Sequence, residues 1–197
     1  MKPIVHPRYI VLTDERNGGA EKEWLPHLPK NTWVIIRAKT MGQRIALLRA
    51  LKKARGKRHD IKLLLSVDAK QAQRLGADGV HYPEQALRRS MPSLPAHLLQ
   101  TTTVHNIAAK WHAEKRIPAA TRFIAPILPT PSHPDAKTMG WFFARRHISL
   151  GTAPHYALGG MEYNSLIKAR CCGFIGIAGV TLWHDLCVLK IAQPWKC

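Results

Sequence analysis

Short apolar runs recur along the chain, and most are followed by a turn signal and then by a segment with helical spacing. None of the runs alternates apolar with polar residues as the strands of a one-sided sheet do. Uninterrupted apolar strands are buried on both faces, which indicates parallel strands covered by helices. The predicted strands are Tyr9–Leu12, Thr32–Ile36, Ile61–Leu65, Ala77–His81, Leu98–Val104, Phe123–Leu128, Tyr156–Leu158 and Gly173–Gly179.

Eight strands alternating with helices predict an α/β fold, a single compact (β/α)8 TIM barrel that spans residues 1–197. The competing arrangement is a doubly wound open sheet. Its dinucleotide-binding form is disfavoured because no GxGxxG follows the first strand. The predicted helices are Arg44–Arg58, Ala69–Leu75, Asn106–Lys115, Trp141–Arg146, Met161–Ala169 and Thr181–Ile191.

The composition is that of one globular domain. The chain has 197 residues, of which 46% are hydrophobic, enough to build a core. No apolar run is long enough to span a membrane, and the amino terminus lacks the apolar segment of a signal peptide. We therefore expect a cytoplasmic protein with no membrane partner. The four cysteines form no CxxC pair, so nothing supports a zinc ribbon or a redox dithiol.

The formal net charge of +18 is the unusual bulk property of the chain. Such a charge attracts polyanions, including nucleic acids and phosphorylated metabolites. The basic density is highest in the predicted helix Arg44–Arg58, where the apolar residues form one stripe. We favour a solvated outer helix over a nucleic-acid patch there. No aromatic residues interleave with these cations, so a nucleic-acid partner is not expected.

Glycines close the last two predicted strands, at Gly159 and Gly160 and again at Gly179. Glycines at strand ends let backbone N–H groups approach an anion closely. In an eight-stranded barrel, the turns after the last two strands commonly hold a phosphate. The alternative is that these glycines only permit tight turns between strand and helix.

Other candidate residues also lie where predicted strands end, because the loops of a barrel converge at that face. His105 is the candidate for proton transfer. His81 is more simply a buried structural histidine, and Ser66 and Asp68 have an alternative role as helix caps. A cationic, hydroxyl-rich mouth suits a phosphorylated small molecule. The further strand-end residues that build this mouth are Arg37, Lys39, Thr130 and Ser132.

Five segments stand out in order along the chain: VIIRAK at 34–39, GADGVH at 76–81, TVH at 103–105, APILPTPSH at 125–133, and ALGGM with GIAGV within 157–180. In order and spacing they resemble the thiamine phosphate synthase and TenI superfamily. The resemblance covers nearly the whole chain and implies a (β/α)8 barrel of thiamine metabolism. The synthase joins hydroxymethylpyrimidine diphosphate to a thiazole phosphate, whereas the TenI branch tautomerises a thiazole phosphate.

The resemblance assigns roles to particular positions of this chain. It implies that the backbone at the two glycine corners holds the thiazole phosphate and that His105 is the acid–base group. Arg37 and Lys39 match the RxK segment that faces the pyrophosphate. The phosphate-holding positions are Gly159, Gly160, Ile177, Ala178 and Gly179, with Thr130 and Ser132 matching two hydroxyl residues of the loop after the sixth strand.

The chain departs from the synthase pattern in the half-site for the diphosphate. Val67 and Ala86 stand where the family has the two aspartates of its magnesium site. Apolar side chains cannot coordinate Mg²⁺, so no cofactor is expected unless Asp68 and Glu84 replace those aspartates. His133 and Ile35 also replace a lysine and a glutamine of the pattern.

This combination favours a TenI-like tautomerase or a degenerate synthase. A true thiamine phosphate synthase and a non-catalytic barrel that binds a phosphate ligand or nucleic acid remain the alternatives.

Overall fold

The computed structural model describes residues 4–88, 98–131, 134–148 and 153–192. Eight parallel strands close into a barrel in which each strand pairs with its sequence neighbours and β8 pairs with β1. This confirms the predicted (β/α)8 fold. The strands are β1 Tyr9–Leu12, β2 Trp33–Ile36, β3 Lys62–Leu65, β4 Gly79–Tyr82, β5 Leu99–Val104, β6 Thr121–Ile124, β7 His155–Leu158 and β8 Gly176–Gly179.

Helices connect the strands on the outside of the barrel. Three short 3-10 helices, at Glu15–Asn17, Leu25–His27 and Glu84–Arg88, supplement them. Among the described helices, none has the length and apolar character needed to cross a membrane. The α-helices are α1 Glu21–Trp24, α2 Met41–Arg55, α3 Ala69–Arg74, α4 Ile107–Arg116, α5 Gly140–Ile148, α6 Ser165–Cys171 and α7 Leu182–Ala192.

The sixth strand lies earlier in the chain than predicted, at Thr121–Ile124 instead of Phe123–Leu128. Pro126 interrupts the apolar run, and proline has no N–H to donate to a ladder. Beyond it, Ile127 N donates to Leu158 O at 2.9 Å, so the chain still lies beside the end of β7. The run of apolar residues therefore contains a strand boundary that its hydrophobicity does not reveal.

The sixth helix begins later than predicted, at Ser165 instead of Met161. Met161 is buried against the core, and the residues after it form a turn in which Ser165 N donates to Glu162 O at 2.9 Å. The Ser165 Oγ also accepts a hydrogen bond from Glu162 N at 3.1 Å. These bonds delay the start of the helix by one turn.

Strand residues alternate between the inside of the barrel and the layer between strands and helices, as the two-residue period of a strand requires. The interior cluster contains Leu12, Ile35 and Phe123, and a larger cluster packs the outer faces of the strands against the helices. Continuing the alternation past the strand ends puts Arg37, two residues after Ile35, at the barrel mouth. The complete interior cluster is Ile10, Leu12, Trp33, Ile35, Leu64, Phe123, Tyr156 and Ala178.

The basic helix α2 lies on the outside of the barrel and buries Leu48 and Leu51. Thr40 caps its start in a capping box with Gln43, and Gly56 follows its end. Several of the cations of this segment bond within the protein instead of facing a partner. Arg44 donates to Ala38 O and Ser66 O, Lys52 donates to Leu75 O, Arg55 pairs with Asp78, and Arg58 pairs with Asp60 and donates to Leu28 O.

Candidate functional site

His81 lies inside the barrel, just below the mouth. Its Nδ1 is 2.9 Å from Thr101 Oγ1, its Nε2 is 3.5 Å from Thr103 Oγ1, and its ring stacks on Phe123. Burial, together with the nearby charge of Arg37, lowers the pKa of His81 to about 3. The imidazole is therefore neutral near pH 7. This agrees with its interpretation as a structural histidine.

His105 follows β5 and is half-exposed at the mouth. Its Nδ1 is 2.8 Å from Ala125 O. Because a carbonyl oxygen only accepts hydrogen bonds, Nδ1 must carry the proton, and in the neutral ring Nε2 holds the lone pair. The next residue, Asn106, caps α4 by accepting a hydrogen bond from Ala109 N at 2.8 Å. The bond to Ala125 orients the ring, and the helix cap holds the backbone next to it.

Glu84 is the neighbour of that Nε2 atom, with Oε2 at 4.0 Å. The Glu84 side chain is 18% exposed and belongs to the 3-10 helix that follows β4. Glu84 and His105 are therefore close enough for an ion pair when the imidazole carries a second proton. From the sequence alone, Glu84 is a candidate only for a substitute metal ligand. The available signal was that Glu84 and His105 follow strands that are adjacent in a barrel.

The glycines after β7 are required by close packing. Gly159 and Gly160 have φ of 95° and 65°, values that strain other residues. A Cβ on Gly159 would lie 2.9 Å from Pro126 Cα, and one on Gly160 would lie 2.7 Å from Leu128 Cβ and 2.5 Å from Pro129 O. The tight-turn interpretation thus accounts for both glycines. No described residue accepts a hydrogen bond from Gly160 N–H, so this amide is also open to a ligand.

The turn after β8 packs against the turn after β7 and is hydrogen-bonded to it. A Cβ on Gly179 would lie 3.3 Å from Met161 O, and Thr181 Oγ1 donates to that same oxygen at 3.4 Å. Helix α7 begins one residue later, and its Trp183 Nε1 donates to Leu12 O at 2.9 Å. These contacts anchor the amino end of α7 beside the barrel mouth.

The backbone amides differ in their availability at this corner. Ile177 and Ala178 are buried within β8, and Ile177 N donates to Arg8 O at 3.0 Å, so that amide belongs to the barrel ladder. No described residue accepts a hydrogen bond from the N–H of Val180 or Thr181. Unbonded amides at the start of a helix attract anions because the helix dipole adds positive potential there. The amides beyond Gly179 are therefore the ones open to a ligand.

The two cations after β2 have different surroundings. The Thr13 hydroxyl donates to Arg37 O and accepts from Arg37 N, both at 2.8 Å, which holds the strand end in place. The charge of Arg37 reaches His81 in the barrel interior. Lys39 instead points to the turn after β1 and pairs with Glu15 at 3.0 Å, and the hydrogen bond from Lys39 lowers the pKa of Glu15. Arg37 is thus the closer of the two to the barrel interior.

The loop after β6 carries the two predicted hydroxyl residues. Thr130 is partly buried, next to Pro129, whose carbonyl oxygen approaches Gly160. Ser132 and His133 lie outside the described residues, so their roles stay predictions.

The positions at which the sequence predicts a lost magnesium site lie before α3 and in the 3-10 helix after β4. Val67 is buried and apolar, and Asp68 Oδ1 accepts a hydrogen bond from Gln71 N at 2.9 Å as the cap of α3. Glu84 Oε2 lies 4.0 Å from His105 Nε2. Across the part of the chain that the structure describes, no three His, Cys, Asp or Glu side chains lie close enough to hold a metal ion.

Two open grooves lie near the ends of the barrel. One, of about 530 Å³, is at the amino-terminal end and includes Trp33, Lys62 and Asp78. The other, of about 480 Å³, lies between the turn after β7 and helix α7 and reaches Thr181. The second groove therefore provides open space beside the amides after β8. Its lining residues are Glu162, Tyr163, Asn164, Thr181, His184, Asp185 and Val188.

Comparison with solved structures supports the fold. A thiamine phosphate pyrophosphorylase from Pyrococcus furiosus superposes with a TM-score of 0.69 at 18% identity, covering 93% of this chain and 94% of that one. A 2-keto-3-deoxy-6-phosphogluconate aldolase of Zymomonas mobilis ZM4, solved with 3-phosphoglycerate, gives 0.61 at 14% identity, covering 93% and 88%. At these identities the likeness concerns the barrel alone.

Sequence comparison is more specific. A protein of Aquifex aeolicus named "Putative thiamine-phosphate synthase 2" is 28% identical over 185 residues, which cover 91% of this chain and 98% of that protein. The profile of the family described as thiamine monophosphate synthase matches residues 9–182, from the start of β1 to the start of α7. The chain therefore belongs to the thiamine monophosphate synthase family.

Proposed function

We propose that this protein binds a thiazole phosphate at its barrel mouth and tautomerises the ring with His105 as the acid–base group. The observation that carries the proposal is the position of His105: Nδ1 is bound to Ala125 O, and Nε2 lies 4.0 Å from the Glu84 carboxylate. An imidazole whose tautomer is held in this way is suited to accept and return a proton.

The phosphate group has a candidate site opposite this histidine, at the corners after β7 and β8. The amides of Gly160, Val180 and Thr181 have no acceptor among the described residues, and α7 begins directly after them. Backbone amides and a helix dipole bind a phosphate without a metal ion. Thr130 and Ser132 are the hydroxyl groups proposed to complete the site.

The chemical step is a proton relocation, so atoms and electrons balance without a co-reactant. The Nε2 lone pair of His105 accepts a proton from one ring position of the thiazole. The resulting imidazolium keeps its Nδ1–H bond to Ala125 O and is stabilised by Glu84. The same proton is then delivered to a second ring position, which completes the aromatic tautomer and restores neutral His105.

A true synthase is the second candidate, and the name of the Aquifex aeolicus relative favours it. Departure of a diphosphate needs charge neutralisation, to which Mg²⁺ contributes in the synthase. Val67 and Ala86 offer no ligand, and Asp68 already caps α3. Arg37 and Lys39 would have to neutralise the leaving group largely by themselves, which supports the tautomerase over the synthase.

The test compares wild type with His105→Ala, using His112→Ala on the exposed face of α4 as the matched control. We expect His105→Ala to reduce thiazole phosphate tautomerisation at least about a hundredfold, the usual contribution of a general acid–base group, with little change in binding. His112→Ala should behave as wild type. Unchanged turnover in His105→Ala would remove that residue from the mechanism.

A coupling assay separates the two candidate activities. The wild-type protein is incubated with thiazole phosphate, hydroxymethylpyrimidine diphosphate and Mg²⁺, and release of pyrophosphate is measured. We expect tautomerisation with no coupled product. Pyrophosphate release that depends on Mg²⁺ would establish the synthase and refute the tautomerase assignment.

A further inference from the structure

The net charge of +18 is not explained by the barrel mouth or by α2, where Arg44, Lys52 and Arg55 bond within the protein. A different set of cations lies on α4, α5 and α6, which follow one another around the barrel. These helices contain seven Lys and Arg residues and one acidic residue, Glu114. Lys115, Arg116 and Arg145 are exposed and bond to no described residue. Their charge is available to a partner.

The same three helices carry large apolar side chains that are exposed to solvent. Phe142 is 80% exposed, Trp111 is 64% exposed and Phe143 is 59% exposed. Ile107 on α4 and Ile167 on α6 are also exposed. Single exposed apolar residues are normal, but contiguous ones such as the contacting rings of Phe142 and Phe143 indicate an interaction surface. We call the exposed sides of α4, α5 and α6 the aromatic–basic face.

Aromatic residues and cations are interleaved on this face instead of being segregated. Trp111 and Lys115 are four residues apart on α4, and Phe142 and Arg145 are three apart on α5, so each pair shares one side of its helix. A helix that lies on a membrane separates a continuous apolar side from its charged side. Interleaving is instead the pattern of proteins that bind single-stranded nucleic acid, where bases stack on aromatic rings and cations contact phosphates.

A second copy of the chain is a poor occupant of this face. Each copy carries a formal charge of +18, and the face itself is basic, so self-association would bring like charges together. A polyanion has the complementary charge. Among polyanions, one with unpaired planar bases also uses the exposed rings.

We propose that the aromatic–basic face of α4, α5 and α6 binds single-stranded nucleic acid. The exposed rings of Trp111, Phe142 and Phe143 stack against bases, and Lys115, Arg116 and Arg145 contact the phosphates. The proposal departs from the expectation, based on α2, that no nucleic-acid partner binds, because no aromatics accompany the cations of α2.

The ring geometry is compatible with stacking. Phe142 and Phe143 lie edge to face, with centroids 5.6 Å apart and planes at 84°, so stacking of one ring does not block the other. On the neighbouring helix, Lys168 Nζ lies 5.8 Å from the centre of the Trp141 ring. This cation–π contact places the positive charge of Lys168 next to Trp141, the residue before Phe142.

The experiment titrates the full chain into fluorescently labelled oligonucleotides of about 20 nucleotides, single-stranded and duplex, at several salt concentrations between about 50 and 200 mM. We expect tighter binding to the single strand than to the duplex. The Phe142→Ala/Phe143→Ala variant should bind the single strand about tenfold or more weakly, the order expected for a lost stacked base. Its melting temperature should match wild type because both rings are exposed.

Charge-matched variants separate this face from the overall charge. The first variant, Lys115→Ser/Arg145→Ser, removes two cations from this face. The control removes two cations from the exposed side of α2, by Arg49→Ser/Lys53→Ser. Only the first should reduce the slope of log K against log salt, by about 1.4 for two lost contacts with a single strand. Equal losses in both variants would show that binding follows net charge and would overturn the proposal.

Two further outcomes also count against it. Binding to vesicles of acidic phospholipid that requires Phe142 and Phe143, without binding to oligonucleotides, would assign the face to a membrane. Binding to heparin as tight as binding to the single strand would show that bases contribute nothing. Thiazole phosphate turnover should stay unchanged in the phenylalanine variant, which keeps this test independent of the proposed function.

Discussion

We predict that the buried His155 makes the stability of this protein depend on pH. It lies on the outer face of β7, opposite Arg122 of β6 in the strand register, in the layer below α4 and α5. Lys110 and Glu114 of α4 and His147 of α5 face the same space. His155 and Arg122 are almost completely buried, and Glu114 is the one acidic group among the five. Protonation of His155 would add another positive charge to a dry, already positive layer.

The size and sign of this pH dependence follow from the difference in proton binding between the folded and the unfolded chain. Burial, with the charges of Lys110 and Arg122, lowers the pKa of His155 from 6.5 to about 4. Between these values the unfolded chain binds a proton that the folded chain does not, so stability falls as pH falls. From about pH 7.5 to about pH 5, His155 alone should lower the free energy of unfolding by about 2 kcal/mol. His81, whose pKa is lowered to about 3, should add a similar loss.

The assay is urea unfolding of wild type, His155→Leu and His155→Gln at both pH values, with exposed His112→Gln as control. Absolute stabilities will differ between variants, but the quantity of interest is each protein's own loss between the two pH values. Both His155 variants should lose about 2 kcal/mol less than wild type over this range, and the control should lose as much as wild type. Equal losses in all four proteins would refute the assignment of a neutral buried His155.

Two other predictions concern local packing. Gly160→Ala should lower the free energy of unfolding by about 1–3 kcal/mol, because its φ is 65° and its Cβ would lie 2.7 Å from Leu128 Cβ. The control Gly42→Ala, in open space within α2, should raise the free energy of unfolding by up to about 1 kcal/mol. Equal effects of the two substitutions would contradict this reasoning. Thr40→Ala should destabilise by about 1 kcal/mol through loss of the capping box with Gln43, measured by the same unfolding assay, whereas no loss would mean that the cap is dispensable.

The amino-acid sequence determined the architecture and the face on which the candidate site lies. The spacing of apolar residues and the apolar content of each segment are local properties of the sequence. Eight uninterrupted apolar strands alternating with helices were therefore sufficient to predict a parallel barrel. The position of His105 at the end of β5 followed from that prediction. The caps were also readable, since Asp68 and Thr40 stand just before helical segments.

Other features depended on which elements become neighbours when the barrel closes. The approach of Glu84 to His105 joins residues 21 positions apart, and the packing of Gly160 against Leu128 joins two separate loops. The sequence pattern also did not show that cations of α2 bond to backbone carbonyls. It did not show that Phe142 and Phe143 are exposed, because hydrophobicity does not indicate which side of a helix faces the barrel when both sides carry apolar residues. The sequence specifies local conformation and periodicity; pairing, burial and the surroundings of each charge were decided only by tertiary closure, since they depend on distances between segments remote in the chain.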